Sequence, residues 1–209
     1  AGVSPKVALK MILPSKAQDE KYKQLFINEA KVCSTLMHRN IVHIQDFDQV
    51  EDLFFLVMEY VEGLTLREVI RTAREHGVPI PKHVIAELGR QMCEGLAYAH
   101  QAKTNEGKPL GLIHRDVKPD NIFLTKKSDI KLMDLGITKG DDSAPLTRAG
   151  TAMGTPHYMA PEQARGVAVP ASDQYSVGVM TFELLTGTRP YKGLDGLEIL
   201  QKHLNSPIP

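Results

Sequence analysis

Eight consecutive residues, His114-Arg115-Asp116-Val117-Lys118-Pro119-Asp120-Asn121, constrain this chain more than any other stretch. They follow a helix-like run, His83 to Ala102, and a polar loop, Lys103 to Pro109. They precede Asn121–Leu124 and Ile130–Met133, which read as a hairpin turned at Lys127-Ser128-Asp129. A carboxylate, an ammonium and an amide fall between Asp116 and Asn121, and thirteen residues after Asn121 comes Asp134-Leu135-Gly136. Any fold that accepts this order must seat a polar loop between a helix and a hairpin.

The rest of the chain divides near Gly63. Before it, Val7 to Ile12 reads as a strand stopped by Pro14. A helix follows from about Asp19 to Leu36, with Leu25, Phe26, Cys33 and Leu36 on its apolar side. Glu29 falls four after Leu25 and four before Cys33, so it lies on or beside that face. A carboxylate there needs a partner, because an unpaired buried charge is costly. Strands are expected near Ile41–Phe47 and Leu53–Tyr60, with a turn at Glu51-Asp52.

After Gly63 the character is helical. Leu64 to His76 ends at Gly77 and Pro79, and His83 to Ala102 carries Val84, Leu88, Met92, Leu96 and Ala99 near one face. Residues 137–170 lack sustained periodicity and read as loop. Ser172 or Asp173 then starts a helix that is apolar nearly all round, from Val177 to Leu185, which suggests a buried element ended by Gly187. Gly196–Leu204 is again helix-like.

Bulk properties remove several function classes. Net charge is +0, so no global field favours nucleic acid or an anionic membrane. The longest apolar run, Leu53 to Met58, is far shorter than the ~20 residues of a membrane helix. Cys33 and Cys93 fall in helix-like segments and outside any CxxC pair, which reads as buried free thiols in a reducing, cytoplasmic setting. No signal peptide or internal repeat is visible. No His/Cys cluster has zinc spacing, so His100 and His114 are not expected to bind metal; His114 is expected to pack and hydrogen-bond as a structural residue.

Phosphoryl transfer from ATP needs a carboxylate for the attacking hydroxyl, a cation for the moving phosphoryl, and oxygen ligands for magnesium. The order of Asp116, Lys118, Asn121 and Asp134 resembles the catalytic and metal loops of eukaryotic-type protein kinases, most closely the bacterial Ser/Thr branch. The resemblance extends over almost the whole chain. It implies that Lys10, in Val7-Ala8-Leu9-Lys10, contacts the α- and β-phosphates and pairs with Glu29. It implies that Met58 is the gatekeeper, that Glu59 and Val61 offer backbone groups to adenine, and that Ala8 and Phe123 sandwich the ring. Asp116 would orient or deprotonate the acceptor hydroxyl, Lys118 would neutralise the phosphoryl, and Asn121 and Asp134 would hold Mg²⁺, with Mn²⁺ as a substitute. Gly154–Glu162 resembles the substrate-docking loop, in which Thr155 would bond toward Asp116 and Lys118. Thr147 and Thr151 sit where phosphate is often carried, with Arg115 to receive it. Asp173 would brace the catalytic loop through backbone amides.

The resemblance implies a two-lobed α+β fold: residues 1–60 as a small β-rich lobe, 61–63 as hinge, and 64–209 as a mainly helical lobe, with an activation segment over 134–162. Leu135 stands where phenylalanine is usual, and the loop Ala102–Leu112 is longer than the common connection. No Gly-x-Gly-x-x-Gly precedes Lys10, so the first strands of the family are expected to be missing, as are its last helices with the arginine that would pair with Glu162, and the chain is expected to be a weakly active fragment. The expected partners are ATP and protein substrates, without nucleic acid and without a membrane segment here, though a membrane anchor in the parent is compatible with the resemblance. Two rivals stand beside this reading: a pseudokinase acting as a binding or scaffolding module, and a small-molecule kinase of related fold.

Overall fold

The computed structural model describes residues 6–12, 19–51, 53–104, 106–135 and 156–209. In strand β1 (Val7–Met11), Ala8 and Lys10 are half-buried while Val7, Leu9 and Met11 are exposed, the alternation of a strand covered on one face. β1 pairs antiparallel with β3 (Leu53–Glu59), which pairs antiparallel with β2 (Ile44–Val50), giving the order β1-β3-β2. Helix α1 (Glu20–Cys33) is started by Asp19, whose side chain accepts from the Lys21 N–H at 2.9 Å. Its buried residues are Phe26, Glu29, Ala30 and Cys33, one stripe at helical spacing. Phe26 meets Phe47 of β2 at 6.2 Å between ring centroids.

The helix expected to reach Leu36 closes at Cys33, because the hydroxyls of Ser34 and Thr35 turn back onto the carbonyls of Lys31 and Val32 at 3.0 and 2.7 Å. The strand expected from Ile41 starts at Ile44. Asn40–Val42 instead bond to another sheet: Leu132 N–H donates to Asn40 O at 2.8 Å and Val42 N–H to Leu132 O at 2.9 Å.

That second sheet has the order β4-β5-β6, from β4 (Gly63–Thr65), β5 (Ile122–Thr125) and β6 (Ile130–Leu132). The expected hairpin is therefore present. Residues 64 and 65 are strand rather than helix, because Thr65 caps helix α2 (Leu66–Glu75): its Oγ1 accepts from Glu68 N–H, and Glu68 Oε2 accepts from Thr65 N–H at 2.7 Å. Gly63 is required at the pairing with Thr125, since a Cβ there would lie 2.1 Å from Leu124 O.

Helices α3 (Lys82–His100) and α5 (Pro170–Thr186) pack together as the centre of the helical part, followed by α6 (Gly196–Asn205). Cys93 is exposed, a correction to its expected burial: on α3 it lies outside the stripe of Leu88, Met92, Leu96 and Ala99 that enters the core. Within the expected loop 137–170, the described part holds a 3₁₀ turn, Pro156–Tyr158, and a short helix α4 (Pro161–Ala164). α5 begins at Pro170, ahead of the expected Ser172; proline is pre-set for a first helical position, and Ser172 Oγ accepts from Val169 N–H at 3.1 Å. Gly187, with φ 72°, ends α5 as expected. The long loop after α3 closes on itself, Leu110 N–H donating to Ala102 O and Thr104 N–H to Lys108 O, both at 2.8 Å.

Candidate active site

Two groups of charged residues meet where the sheets adjoin. In the first, Lys10 Nζ stands 2.8 Å from Glu29 Oε1 and 2.8 Å from Asp134 Oδ1. Burial alone would lower the Lys10 ammonium, but the two carboxylates outweigh it and its pKa is raised. Glu29 is 3% exposed and comes from the apolar side of α1; Lys10 comes from the covered face of β1. The carboxylate that needed a partner has one, and it is the residue the resemblance chose.

In the second group, Lys118 Nζ lies 2.9 Å from Asp116 Oδ2, and Asn121 Nδ2 donates to Asp116 Oδ2 at 3.0 Å and to its backbone oxygen at 2.9 Å. An amide oriented this way presents Oδ1 on its other side. The two groups are joined through Met133, whose N–H donates to Asn121 O at 2.9 Å immediately before Asp134. Asp134 adopts φ 51° and Arg115 φ 62°, a region costly for non-glycine residues.

The loop that carries Asp116 is hung from buried groups. Asp173, 1% exposed on α5, accepts the N–H of His114 at 2.9 Å and that of Arg115 at 3.0 Å. His100 Nε2 lies 2.7 Å from the same carboxylate, and because a carboxylate only accepts, His100 carries its proton there. Gln163 Nε2 holds Arg115 O at 2.5 Å. Arg115 is thus gripped on both sides of its strained backbone. His114 packs as expected at 1% exposure, but its hydrogen bond is a backbone one: neither ring nitrogen has a partner among the described residues, and burial lowers its pKa.

Ala8 stands opposite Met58 in the β1–β3 register, and Phe123 opposite Lys131 in the hairpin. Met58 is buried, and Ala8, Val61 and Phe123 are half-buried. Glu59 N–H donates to His43 O at 3.0 Å, and Glu59 pairs with Val7 in the β1–β3 register. Behind Met58 a cavity is lined by Lys10, Glu29, Cys33, Asp134 and Leu135. Burial, then Glu29, pushes the Cys33 thiol up to about 12, so it is a neutral lining group. Gly136, Thr147, Thr151, Gly154 and Thr155 lie outside the described residues.

A family model described as the protein kinase domain matches residues 3–208. The chain belongs to the protein kinase domain family. It is 38% identical over 204 residues to the serine/threonine-protein kinase PrkC of Bacillus subtilis and 41% identical over 204 residues to the serine/threonine-protein kinase PknL of Mycobacterium tuberculosis, each alignment covering 97% of this chain. It is also 34% identical over 210 residues to the tyrosine-protein kinase MasK of Myxococcus xanthus. It spans 30% of PrkC, 48% of PknL and 32% of MasK. The two-lobed α+β expectation holds, with the small sheet and α1 forming one part and the helices with the β4–β6 sheet the other.

Within this kinase domain, three features escaped the sequence reading. Glu162 was expected to lack its arginine partner; its Oε1 accepts instead from Ser172 Oγ at 2.5 Å, because α4 lies beside the start of α5. Glu183, 1% exposed on α5, bonds to Tyr158 OH and lies 3.5 Å from both Arg67 and Arg189. A carboxylate inside an apolar helix was the signal for it, the one that marked Glu29. The third is the side chain of Glu59, which accepts from Lys131 Nζ at 2.5 Å across the two sheets.

Proposed function

We propose that this kinase domain transfers the γ-phosphoryl group of ATP to serine or threonine hydroxyls of protein substrates. The observation that carries the reading is the Lys10–Glu29 ion pair, the pairing that phosphoryl transfer requires of a protein kinase, with Asp134 beside it. Residues 1–60 serve as the small lobe, 61–63 as hinge and 64–209 as the large lobe.

Lys10 positions the α- and β-phosphates, and Glu29 positions Lys10. Met58, Glu59, Val61, Ala8 and Phe123 surround the adenine. Asp116 accepts the proton of the substrate hydroxyl as its oxygen bonds to phosphorus and the bond from phosphorus to the ADP oxygen breaks. Lys118, 2.9 Å from Asp116, supplies positive charge where the phosphoryl passes. Thr155 helps align the acceptor.

Asn121 Oδ1 and Asp134 would hold Mg²⁺, or Mn²⁺. They fit it as hard oxygen donors, one neutral and one anionic, and Asn121 has its Nδ2 already committed to Asp116. Bound there, the ion neutralises phosphate charge. A tyrosine kinase appears among the relatives, but a lysine two residues after Asp116 favours Ser/Thr acceptors by resemblance. Phosphate on Thr147 or Thr151, received by Arg115, orders the activation segment over residues 134–162.

The deciding experiment incubates the full-length protein with Mg²⁺, labelled ATP and a generic protein substrate, followed by phosphoamino-acid analysis. Label on serine or threonine supports the reading. ATP binding without transfer would make the domain a binding module, and label on a small molecule alone would place it among small-molecule kinases. Mass spectrometry of active protein should find phosphate on Thr147 or Thr151; full activity with both replaced by alanine would remove that part.

A further inference from the structure

Glu59 ends β3, and its carboxylate joins three parts of the molecule. Oε1 accepts the His43 N–H at 2.8 Å, from the chain just before β2, and Lys131 Nζ at 2.5 Å, from β6 of the other sheet. The Glu59 N–H returns to His43 O at 3.0 Å, so the backbone of His43 is held in both directions. Neither charge is a loose surface group: the Lys131 side chain is 18% exposed and that of Glu59 28%. A lysine on a four-carbon stem normally reaches for water. Here it is drawn against the strand end.

The placement of the pair matters more than its strength. Glu59 directly follows Met58, which faces Ala8 across β1 and β3. Lys131 is the register partner of Phe123. One end of the pair is thus attached to the residues proposed above the adenine, and the other to the residue proposed below it. Tyr60 to Glu62 then lead from β3 into β4, so the pair sits beside the point where the chain passes from one sheet to the other.

We propose that Lys131 and the side chain of Glu59 form a latch that fixes the spacing of the adenine cleft, making Lys131 a positioning residue for ATP. The inference rests on the kinase reading above for its ligand, but the latch itself is a contact between the protein's own side chains. A half-buried charge-assisted bond of this kind strengthens binding only by holding the cleft at its working width. The latch coexists with the assembled Lys10–Glu29–Asp134 group, so its loss widens an already competent cleft and does not release an inhibited one.

The test uses full-length protein with Lys131→Met, Lys131→Arg and Glu59→Gln. Lys131→Met should raise both the KM and the Kd for ATP roughly three- to tenfold, with kcat within about twofold of wild type. Lys131→Arg should restore most of the affinity. Glu59→Gln keeps an oxygen for the His43 N–H and should fall between. Without nucleotide, hydrogen exchange at residues 59–63 should be faster in Lys131→Met than in wild type. Unchanged KM and unchanged exchange would overturn the latch, as would a fall in kcat at constant KM or a gain in activity. If wild type binds no ATP, the kinase reading fails, while the exchange comparison still decides whether the latch exists. If Lys131→Met is poorly folded, the Arg and Gln variants carry the same comparison.

Discussion

Lys10 and Asp116, proposed above to serve the phosphates and the acceptor hydroxyl, are held in different ways. Lys10 is placed by side chains: one ion pair to α1 and one to Asp134, both at 2.8 Å. Glu29 Oε2, on the other side of that pair, is buried without a partner among the described residues. Asp116 is placed by backbone: the amides of His114 and Arg115 hang from Asp173, and the Arg115 carbonyl hangs from Gln163. Asp173 also binds His100 of α3, so the loop is tied to the two helices at the centre of the large part. Side-chain pairs can separate without unfolding anything, whereas a loop fixed through its amides moves only if the helices move. The contrast divides these residues into a half held by side-chain pairs, here called switchable, and a half held through backbone amides, here called built in.

That division can be broken experimentally. The largest effect is expected at the built-in half's product: Asp116→Asn in the full-length protein should lower kcat by roughly 10²–10⁴-fold with ATP affinity little changed, and steady-state kinetics with near-full activity would remove Asp116 from its role. Asp173→Ala should act through structure. It strands two amide donors in the core, so stability should fall by ~2–4 kcal/mol, seen as a drop of roughly 5–15 °C in Tm, with activity falling alongside. A variant that melts like wild type would show the brace to be unnecessary.

The switchable half should respond in the opposite manner. Glu29→Gln should reduce activity about tenfold or more while leaving Tm nearly unchanged, since it removes a charge that is already short of one partner. Lys10→Met should cripple transfer, and the double variant should cost less than the sum by ~1–3 kcal/mol. Additive losses would mean that Lys10 and Glu29 do not work as a pair.

The smallest expected effect is acid sensitivity away from both halves. His203 of α6 packs edge-on to Tyr191, has its Nδ1 2.7 Å from Tyr175 OH and lies near His157; burial pushes it down to about 4. Its folded pKa lies below the unfolded value of about 6.5, so it favours the fold above that pH and its contribution is lost as pH falls toward 4. Melting temperature followed from pH 7 to pH 4.5 should drop less steeply for His203→Gln than for wild type. Parallel curves would show that another group titrates.

Much of this was legible in the chain, for a physical reason. Local signals found α1, the β5–β6 hairpin, α3 and the Gly187 stop, because periodicity and caps are written in neighbouring residues. Glu29 was legible because a carboxylate on an apolar stripe is a contradiction that needs a partner, and Asp173 only because the family resemblance implied a helix-start carboxylate bracing the catalytic loop. What escaped depends on distant pairing. β4 is three residues long and exists only because Thr125 and Leu124 lie opposite Gly63 and Leu64. Asn40–Val42 left the small sheet because β6 offered better-placed partners. The Glu59–Lys131 pair spans 72 positions, and no spacing rule joins such residues.

Those bonds at Asn40 bear on how α1 can move. Asn40 is 0% exposed and is stitched to Ile130, Gln91 and Leu132. The chain leaving Cys33 is therefore moored to the large part only a few residues on, which makes the C-terminal end of α1 a fulcrum. At ~1.5 Å of rise per residue, Glu29 sits ~6 Å from that fulcrum and Glu20 ~20 Å from it. Tilting this rod by ~20° carries Glu29 about 2 Å, enough to part it from Lys10, while Glu20 sweeps about 7 Å. Because the lever arms differ about threefold, any such tilt would displace the Asp19 end roughly three times as far as Glu29.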